Sequence, residues 1–410
     1  MIKFCKRCLY STSHPLGLIL DSEGICSGCR IHEEKDKLDW PGRWKMLENL
    51  VKPYRSKNAK NYDCIIPVTG SQDSYYITYL AKIKLGLNPL LVTYNKFFNT
   101  SLGIHNLANL RIRFDCDILF QNINPISVKN ITRTTLRKFG SIYWPILAGH
   151  TAFPVQTAVR FKIPLILWGA HQGLEQVGMF SHEHEVEMTR RYRKDHDLMG
   201  FEADDLLSNF DSLKEKDIWQ YRYPDDSDIY KIGVRGIYLG NYVKWDPKPQ
   251  HEKMIQEYGY RTKSFLRTFD CYDFVDCFNY MNLHDLLKLY KHGYSKVTDH
   301  ACREIRHGRI TRQQALALVR KHELVSIKNL NLFSEWLDIS ERSLQFVIDQ
   351  HRNKSFWEKS SLNKWKFNGW STYHNDAIST NTNQSLVFIS NSEQKFLSDN
   401  MYITFGKGHA

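Results

Sequence analysis

The chain of 410 residues is predicted to be an α/β protein: a doubly wound parallel sheet, preceded by a small four-cysteine ribbon and followed by a helical region. Three observations carry this. Short apolar runs alternate with segments of helical periodicity between Cys64 and Trp168, a pattern that implies parallel βαβ units with helices on both faces. Two CxxC pairs, CKRC and CSGC, stand near the start. From Asn282 to about Gln350 apolar residues recur at helical spacing with no intervening strand signal. The expected divisions are 1–45 for the ribbon, 46–245 for the sheet domain, 246–350 for the helical region and 351–410 for a tail.

The opening segment is a C-x2-C-x17-C-x2-C array of Cys5, Cys8, Cys26 and Cys29. Each CxxC turn presents two thiolates to one ion, and the metal replaces a core too small to fold alone, so tetrahedral Zn2+ is the expected occupant. A rival is the nucleophile elbow of glutamine hydrolases, because Gly24-Ile25-Cys26-Ser27-Gly28 fits GxCxG. Leu18 to Leu20 is a poor strand for an elbow and Cys29 would be left without a role, so zinc is preferred. The remaining five of the nine cysteines are scattered, which does not look like a disulfide framework and agrees with a reducing compartment.

An amphipathic helix is expected from about Trp44 to Tyr54. Strands are expected at Cys64 to Val68, Pro89 to Tyr94, Asp117 to Gln121 and Pro164 to Trp168. Helices are expected at Tyr75 to Leu85, Gly103 to Phe114, Pro125 to Phe139 and Phe153 to Phe161. Gly233 to Tyr242 reads as a further strand with glycine bends and Pro247 to Tyr258 as a helix. In the C-terminal region the helical pieces are Leu283 to Tyr290, Thr298 to His307, Thr311 to His322 and Glu341 to Ile348, with Thr298-Asp299 and Thr311 as expected caps. The tract 375–385 reads as loop.

Composition bounds the function. With 42% hydrophobic and 24% charged residues the chain is ordinary for a globular protein. No apolar run reaches membrane-spanning length and no leader opens the sequence, so a cytoplasmic location with no membrane partner is expected. A net charge of +12 favours anionic partners, among them nucleotides and nucleic acid. The basic pieces Arg190 to Lys194 and Arg303 to Arg312 are interleaved with or flanked by acids, and read equally as solvated helix faces or as substrate-contacting patches. His182, His184 and His196 with their acidic neighbours read as solvent-facing before they read as a metal site.

The most informative stretch is Pro67-Val68-Thr69-Gly70-Ser71-Gln72-Asp73-Ser74. It joins a buried strand to a helix N-terminus, where unsatisfied N–H groups and the helix dipole make an anion site suited to phosphate. In a doubly wound sheet ligands sit beyond the carboxyl ends of the strands. That edge would collect this turn, Thr93-Tyr94-Asn95, and Trp168-Gly169-Ala170-His171-Gln172-Gly173.

PVTGSQDS resembles the SGGxDS phosphate loop of the PP-loop ATP pyrophosphatases. Together with the CKRC…CSGC ribbon, YDCIIPV, NPLLVTYN, the segment from Pro154-Val155-Gln156 to Trp168-Gly169, and GYSKVTDHACREIRHGRITRQQA, it is similar to the N-acetyl sugar amidotransferase family of bacterial surface-polysaccharide (O-antigen, lipopolysaccharide) synthesis. The resemblance implies conversion of the acetamido group of a nucleotide-linked sugar to an acetamidino group, with ATP and Mg2+ activating the amide oxygen, ammonia attacking and AMP leaving. It implies that Thr69, Gly70, Ser71, Gln72, Asp73 and Ser74 hold ATP, with Asp73 organising magnesium or phosphate and Asp73 and Ser74 counted with the catalytic groups. Thr93, Tyr94, Asn95 and Gly169 lie where such enzymes receive the nucleotide. His171 and Glu175 are candidates for proton transfer or substrate contact, against a role in loop hydrogen bonding.

Thr69 replaces the usual Ser and Ser71 the second Gly; if that position needs positive φ, serine there costs on the order of 1 kcal/mol. No glutaminase lies in the chain, so ammonia is expected from a partner glutaminase subunit with a barrel-like companion, and an oligomer is compatible with the reading. Rivals are a tRNA-modifying PP-loop enzyme, for which Cys64 and Cys116 would be the only nearby thiols, and a catalytically degenerate scaffold using the ribbon as an interaction module.

Overall fold

A computed structural model describes residues 2–96, 99–328, 330–360, 364–369, 386 and 388–391. Five parallel strands form one sheet in the order β3-β2-β1-β4-β5: β1 Cys64–Pro67, β2 Pro89–Tyr94, β3 Ile118–Gln121, β4 Leu165–Trp168 and β5 Arg235–Tyr238. The order reverses between β1 and β4, which is where an open α/β sheet presents its ligand crevice. Alternation within β1 shows how the sheet is covered. Cys64 and Ile66 face one core with Leu91, Leu165 and Leu167, while Ile65 faces another with Val155, Ala158 and Ile166.

In chain order the first helices are α1 Ser27–Glu34, which carries Cys29 of the ribbon, then α2 Trp40–Val51, α3 Gln72–Tyr79, α4 Ser101–Phe114, α5 Pro125–Phe139 and α6 Trp144–Phe161. The helix expected to begin at Phe153 starts nine residues earlier, at Trp144, and runs through Pro154. Between Gly200 and Gly233, where the sequence carries no clear periodicity, stand the short helices α8 Ala203–Asn209, α9 Glu215–Ile218 and α10 Asp226–Ile232, preceded by α7 Arg190–Tyr192. These are too short to print a periodicity on the sequence.

Next comes α11 Pro247–Tyr258, whose Met254 and Ile255 enter the same core as α3 and α4. Residues just past the expected division at 246 are therefore packed against the sheet domain. The helical region follows as α12 Phe278–His292, α13 Lys296–Arg306, α14 Arg312–His322, α15 Leu330–Trp336 and α16 Glu341–Asp349. Ser295, not Thr298-Asp299, is the N-cap residue of α13; sequence spacing placed the start one turn late. Thr311 does cap α14, with Gln314 completing a capping box. A two-stranded antiparallel hairpin, β6 Trp357–Lys359 and β7 Trp365–Phe367, stands in the expected tail, and the loop reading of 375–385 lies outside the described residues. Among the described residues no helix is long and apolar enough to cross a membrane.

The ribbon is not a free module. Its cysteines share one core with Val297, Ala301, Cys302 and Leu316 of α13 and α14. Arg312 donates to the Cys5 carbonyl at 2.8 Å and to that of Cys8, and Arg306 donates to the carbonyls of Glu175 (2.6 Å) and Gln176 (2.8 Å) after β4. Much of the Arg303 to Arg312 basic stretch is thus structural glue. Arg190 and Lys194 are likewise satisfied by Glu202, Asp226 and Asp205.

Candidate functional site

The turn after β1 forms as its residue types dictate. Gly70 has φ +79°, a region costly for residues with a Cβ. A Cβ there would also lie 3.0 Å from the backbone and side chain of Leu107 and 3.1 Å from the Gly103 carbonyl. Ser71, in contrast, has φ −82° and ψ 174°. The strain feared for a serine at the second glycine position is absent, because the left-handed residue is Gly70. Hydroxyls bind the turn together: Ser74 Oγ accepts from the Thr69 N–H at 3.0 Å, and the Thr69 hydroxyl donates to Ser71 Oγ at 2.8 Å.

Asp73 sits in the first turn of α3 with 45% of its side chain exposed, and its Oδ1 lies 3.0 Å from Nε2 of His251 on α11. His251 is buried and its Nδ1 has no hydrogen-bond partner among the described residues. The sequence reading missed this residue; a histidine on a polar helix carries no periodic signal. Gln72 points the other way and donates to Asp273, which follows α11 in the chain.

Asp273 centres a network that the sequence reading also missed. It meets His300 Nε2 at 2.8 Å and Lys296 Nζ at 3.1 Å; Arg303 donates to neighbouring Asp270 at 2.6 Å, and Thr268 lies 2.6 Å from His300 Nδ1. Burial alone would raise the Asp273 pKa, yet Lys296, His300 and Arg303 beside it hold it well below the usual carboxylate range. A signal was available: Lys296, His300 and Arg303 are spaced 4 and 3 apart, which puts them on one face of α13. Beyond β2, buried Lys96 pairs with buried Asp276, joining the sheet edge to the C-terminal region.

The other predicted residues are placed less productively. Thr93 is buried at the end of β2, and Asn95 donates to Asn122 at 2.6 Å, tying the β2 and β3 edges together. Tyr94 is a correction: its ring packs against Gly149 and its hydroxyl meets that of Tyr221 at 2.8 Å, so it belongs to the core rather than to an adenosine pocket. Gly169 accepts from the Gly240 N–H at 3.1 Å. His171 is buried against Tyr192, Tyr238 and Phe180, and its Nδ1 accepts from the Gly173 N–H at 3.0 Å. Burial pushes its imidazole down to about 4, with His196 adding to the effect. Glu175 is held by buried Lys35 at 2.6 Å. His171 thus makes a hydrogen bond within its loop, and Glu175 ties the segment after β4 to Lys35 at the end of α1. His182, read as solvent-facing, is buried beside Trp40.

Cys5, Cys8, Cys26 and Cys29 bring their sulfurs within 4.8 Å of one another, all buried, with Cys8 and Cys26 at 3.6 Å. Tetrahedral zinc with thiolate bonds of about 2.3 Å separates sulfurs by about 3.8 Å, so the quartet fits such an ion. The Cys5 sulfur accepts from the N–H groups of Arg7, Cys8 and Cys26. Cys26 is accounted for by this cluster, not by an elbow.

A five-stranded parallel sheet that reverses order beside the TGSQDS turn, with a cysteine cluster before it and helices after it, defines an open, doubly wound α/β protein with this turn at its switch point. Residues 261–371 match the family described as "LPS biosynthesis protein WbpG-like, C-terminal domain", a similarity that fits the N-acetyl sugar amidotransferase resemblance. No curated protein sequence matches the chain. Among solved structures it is similar to an NH3-dependent NAD synthetase from Campylobacter jejuni in complex with the nitrate ion, at 12% identity over 48% of this chain and 92% of that one, TM-score 0.28. It is also similar to an NMN synthetase from Francisella tularensis, at 14% identity over 53% of this chain and 94% of that one, TM-score 0.26.

Proposed function

We propose that the chain is an ATP-dependent amidotransferase that converts the acetamido group of a nucleotide-linked sugar to an acetamidino group, releasing AMP and pyrophosphate, in lipopolysaccharide O-antigen synthesis. The observation that carries this is the juxtaposition of the phosphate turn with the WbpG-like domain: Gln72 of the turn is hydrogen-bonded to Asp273 of that domain.

The turn's residues hold and orient. Gly70 lets the backbone approach phosphate oxygens, and the N-terminus of α3 favours their charge. Asp73, exposed and aligned by His251, is the ligand for Mg2+, while the cysteine quartet takes Zn2+ as a structural ion. ATP supplies the activation that the amide requires, because its oxygen becomes a leaving group only once it carries the adenylyl group. Ammonia then adds to the amide carbon, and the oxygen departs with AMP. Ammonia comes from a partner glutaminase subunit with its barrel-like companion.

The tRNA-thiolation rival is disfavoured by its thiols. Burial pushes the Cys116 thiol up to about 11, and buried Cys64 is raised further, so neither is a ready nucleophile. The deciding experiment is mass spectrometry of nucleotide N-acetyl sugars incubated with ATP, magnesium and ammonium. Replacement of one oxygen by NH, with AMP formed in equal amount, is expected. AMP-free incubations, or turnover that survives Asp73→Asn, would remove the mechanism.

A further inference from the structure

A cavity of about 540 Å³ lies between the carboxyl edge of the sheet and the C-terminal helices. Tyr143 and Leu147 at the start of α6 and Gln172 and Gln176 beyond β4 form one side; α12 and α13 form the other. The volume is in the range that encloses a small organic ligand. Asp273, which receives the Gln72 hydrogen bond from the phosphate turn, also lines it. One carboxylate therefore separates this space from the ATP-holding turn.

The lining selects the ligand's chemistry. Its cations are already engaged among the described residues: Lys288 by Asp299, Lys296 by Asp273 at 3.1 Å, Arg267 by Asp285 at 3.0 Å, and Lys291 by the Phe139 carbonyl at 2.8 Å. Three of these four charges are compensated by carboxylates, while Lys291, set against a neutral carbonyl, keeps its own, so a diphosphate entering here would find a single uncompensated cation. An acceptor is free instead: Asp197 lines the cavity and takes no hydrogen bond from the described residues. Burial raises its pKa to about 7 against the pull of Arg193, so it can meet a hydroxyl as acceptor or donor. Tyr143, Phe274 and Met281 supply apolar surface. Carboxylates and aromatic surface with only one uncompensated cation suit a polyhydroxylated ring better than a diphosphate.

We propose that this cavity is the glycosyl subsite, taking the N-acetylated pyranose of the nucleotide-linked sugar with Asp197 bound to its hydroxyls, while the diphosphate remains outside. This rests on the amidotransferase reading and adds the place and the contacts.

Titration calorimetry on the full chain tests it, with UDP-N-acetylglucosamine and UDP as probes and magnesium–ATP binding as the control for folding. The sugar nucleotide is expected to bind at least tenfold more tightly than UDP. Asp197→Ala, and independently Asn282→Trp, which fills the cavity wall, should each abolish that preference while magnesium–ATP binds as before. Equal binding of UDP and its N-acetylglucosamine conjugate, or variants that keep the preference, would overturn the subsite. Absence of sugar-nucleotide binding with ATP binding intact also overturns it and leaves the AMP-forming reading standing. Failure to bind ATP would take down the reading beneath it.

Discussion

Gly70 and Ser71 are adjacent and carry opposite demands. Gly70→Ala meets both a positive φ and the 3.0 Å approach of Leu107, so a loss of stability of about 1–2 kcal/mol is expected, together with weaker magnesium–ATP binding; thermal melts and calorimetry read the two. Ser71→Gly should not help. Ser71 is already extended, so glycine adds only unfolded-state entropy and costs about 0.5–1 kcal/mol. An increase in melting temperature would show that the serine is strained after all. His251→Ala frees Asp73 from its partner and should raise the magnesium concentration needed for half-maximal AMP formation severalfold, with less effect on maximal rate. Equal loss at saturating magnesium would mean that His251 does more than align the carboxylate.

His171 sets a pH dependence at the same scale. Its folded pKa of about 4 lies below the ordinary value near 6.5. As pH falls from about 6.5 toward 4 the unfolded chain takes a proton that the folded chain refuses, so stability present above this window is lost through it. His14, His284 and His292, each pushed down to about 3 by burial, extend the effect. The melting temperature should fall steeply below pH 6.5, and less steeply in His171→Gln. Identical slopes would exclude His171 as a contributor.

At the scale of elements, the ribbon and α13 depend on each other. The Cys26 sulfur of the four-cysteine cluster faces Arg306, and the ribbon's core is completed by α13 and α14. Structural zinc contributes on the order of 10 kcal/mol to folding a small domain. Chelation, or Cys8→Ser, should therefore loosen not only residues 1–45 but also α13, and with it the Asp273 network. Hydrogen exchange over Lys296 to Arg306 checks this. Protection that persists in metal-free protein would mean the helix stands without the ribbon. The CxxC pairs made the cluster legible from spacing alone, whereas nothing in them announced which helix they would pack on.

Across the whole molecule, the basic stretch near the C-terminal helices is held in local ion pairs such as Arg303 with Asp270 and Arg309 with Asp246, which leave the net charge of +12 unchanged. Sugar-nucleotide binding should change little between 50 and 200 mM salt, where binding that neutralised 6–10 nucleic-acid phosphates would weaken by about 10³-fold or more. The chain alone should form AMP with ammonium salts but not with glutamine, since Cys26, the cysteine of the GxCxG stretch, lies in the four-cysteine cluster. Glutamine-dependent turnover by the purified chain would contradict the proposed partner.

What the sequence determined by itself were features written in local spacing. Apolar runs bounded by turns produced β2 and the other strands near their expected bounds, the CxxC pairs announced the cluster, and TGSQDS marked the turn between β1 and α3. Tertiary structure alone decided which side chains face one another: that Tyr94 turns into the core, that Glu175 is spent on Lys35, and that Asp73 and Gln72 find His251 and Asp273, 178 and 201 residues away. Periodicity reports which face of an element is apolar, but a single polar residue's partner is fixed by how whole elements cross, and that crossing is settled only when their buried surfaces pack.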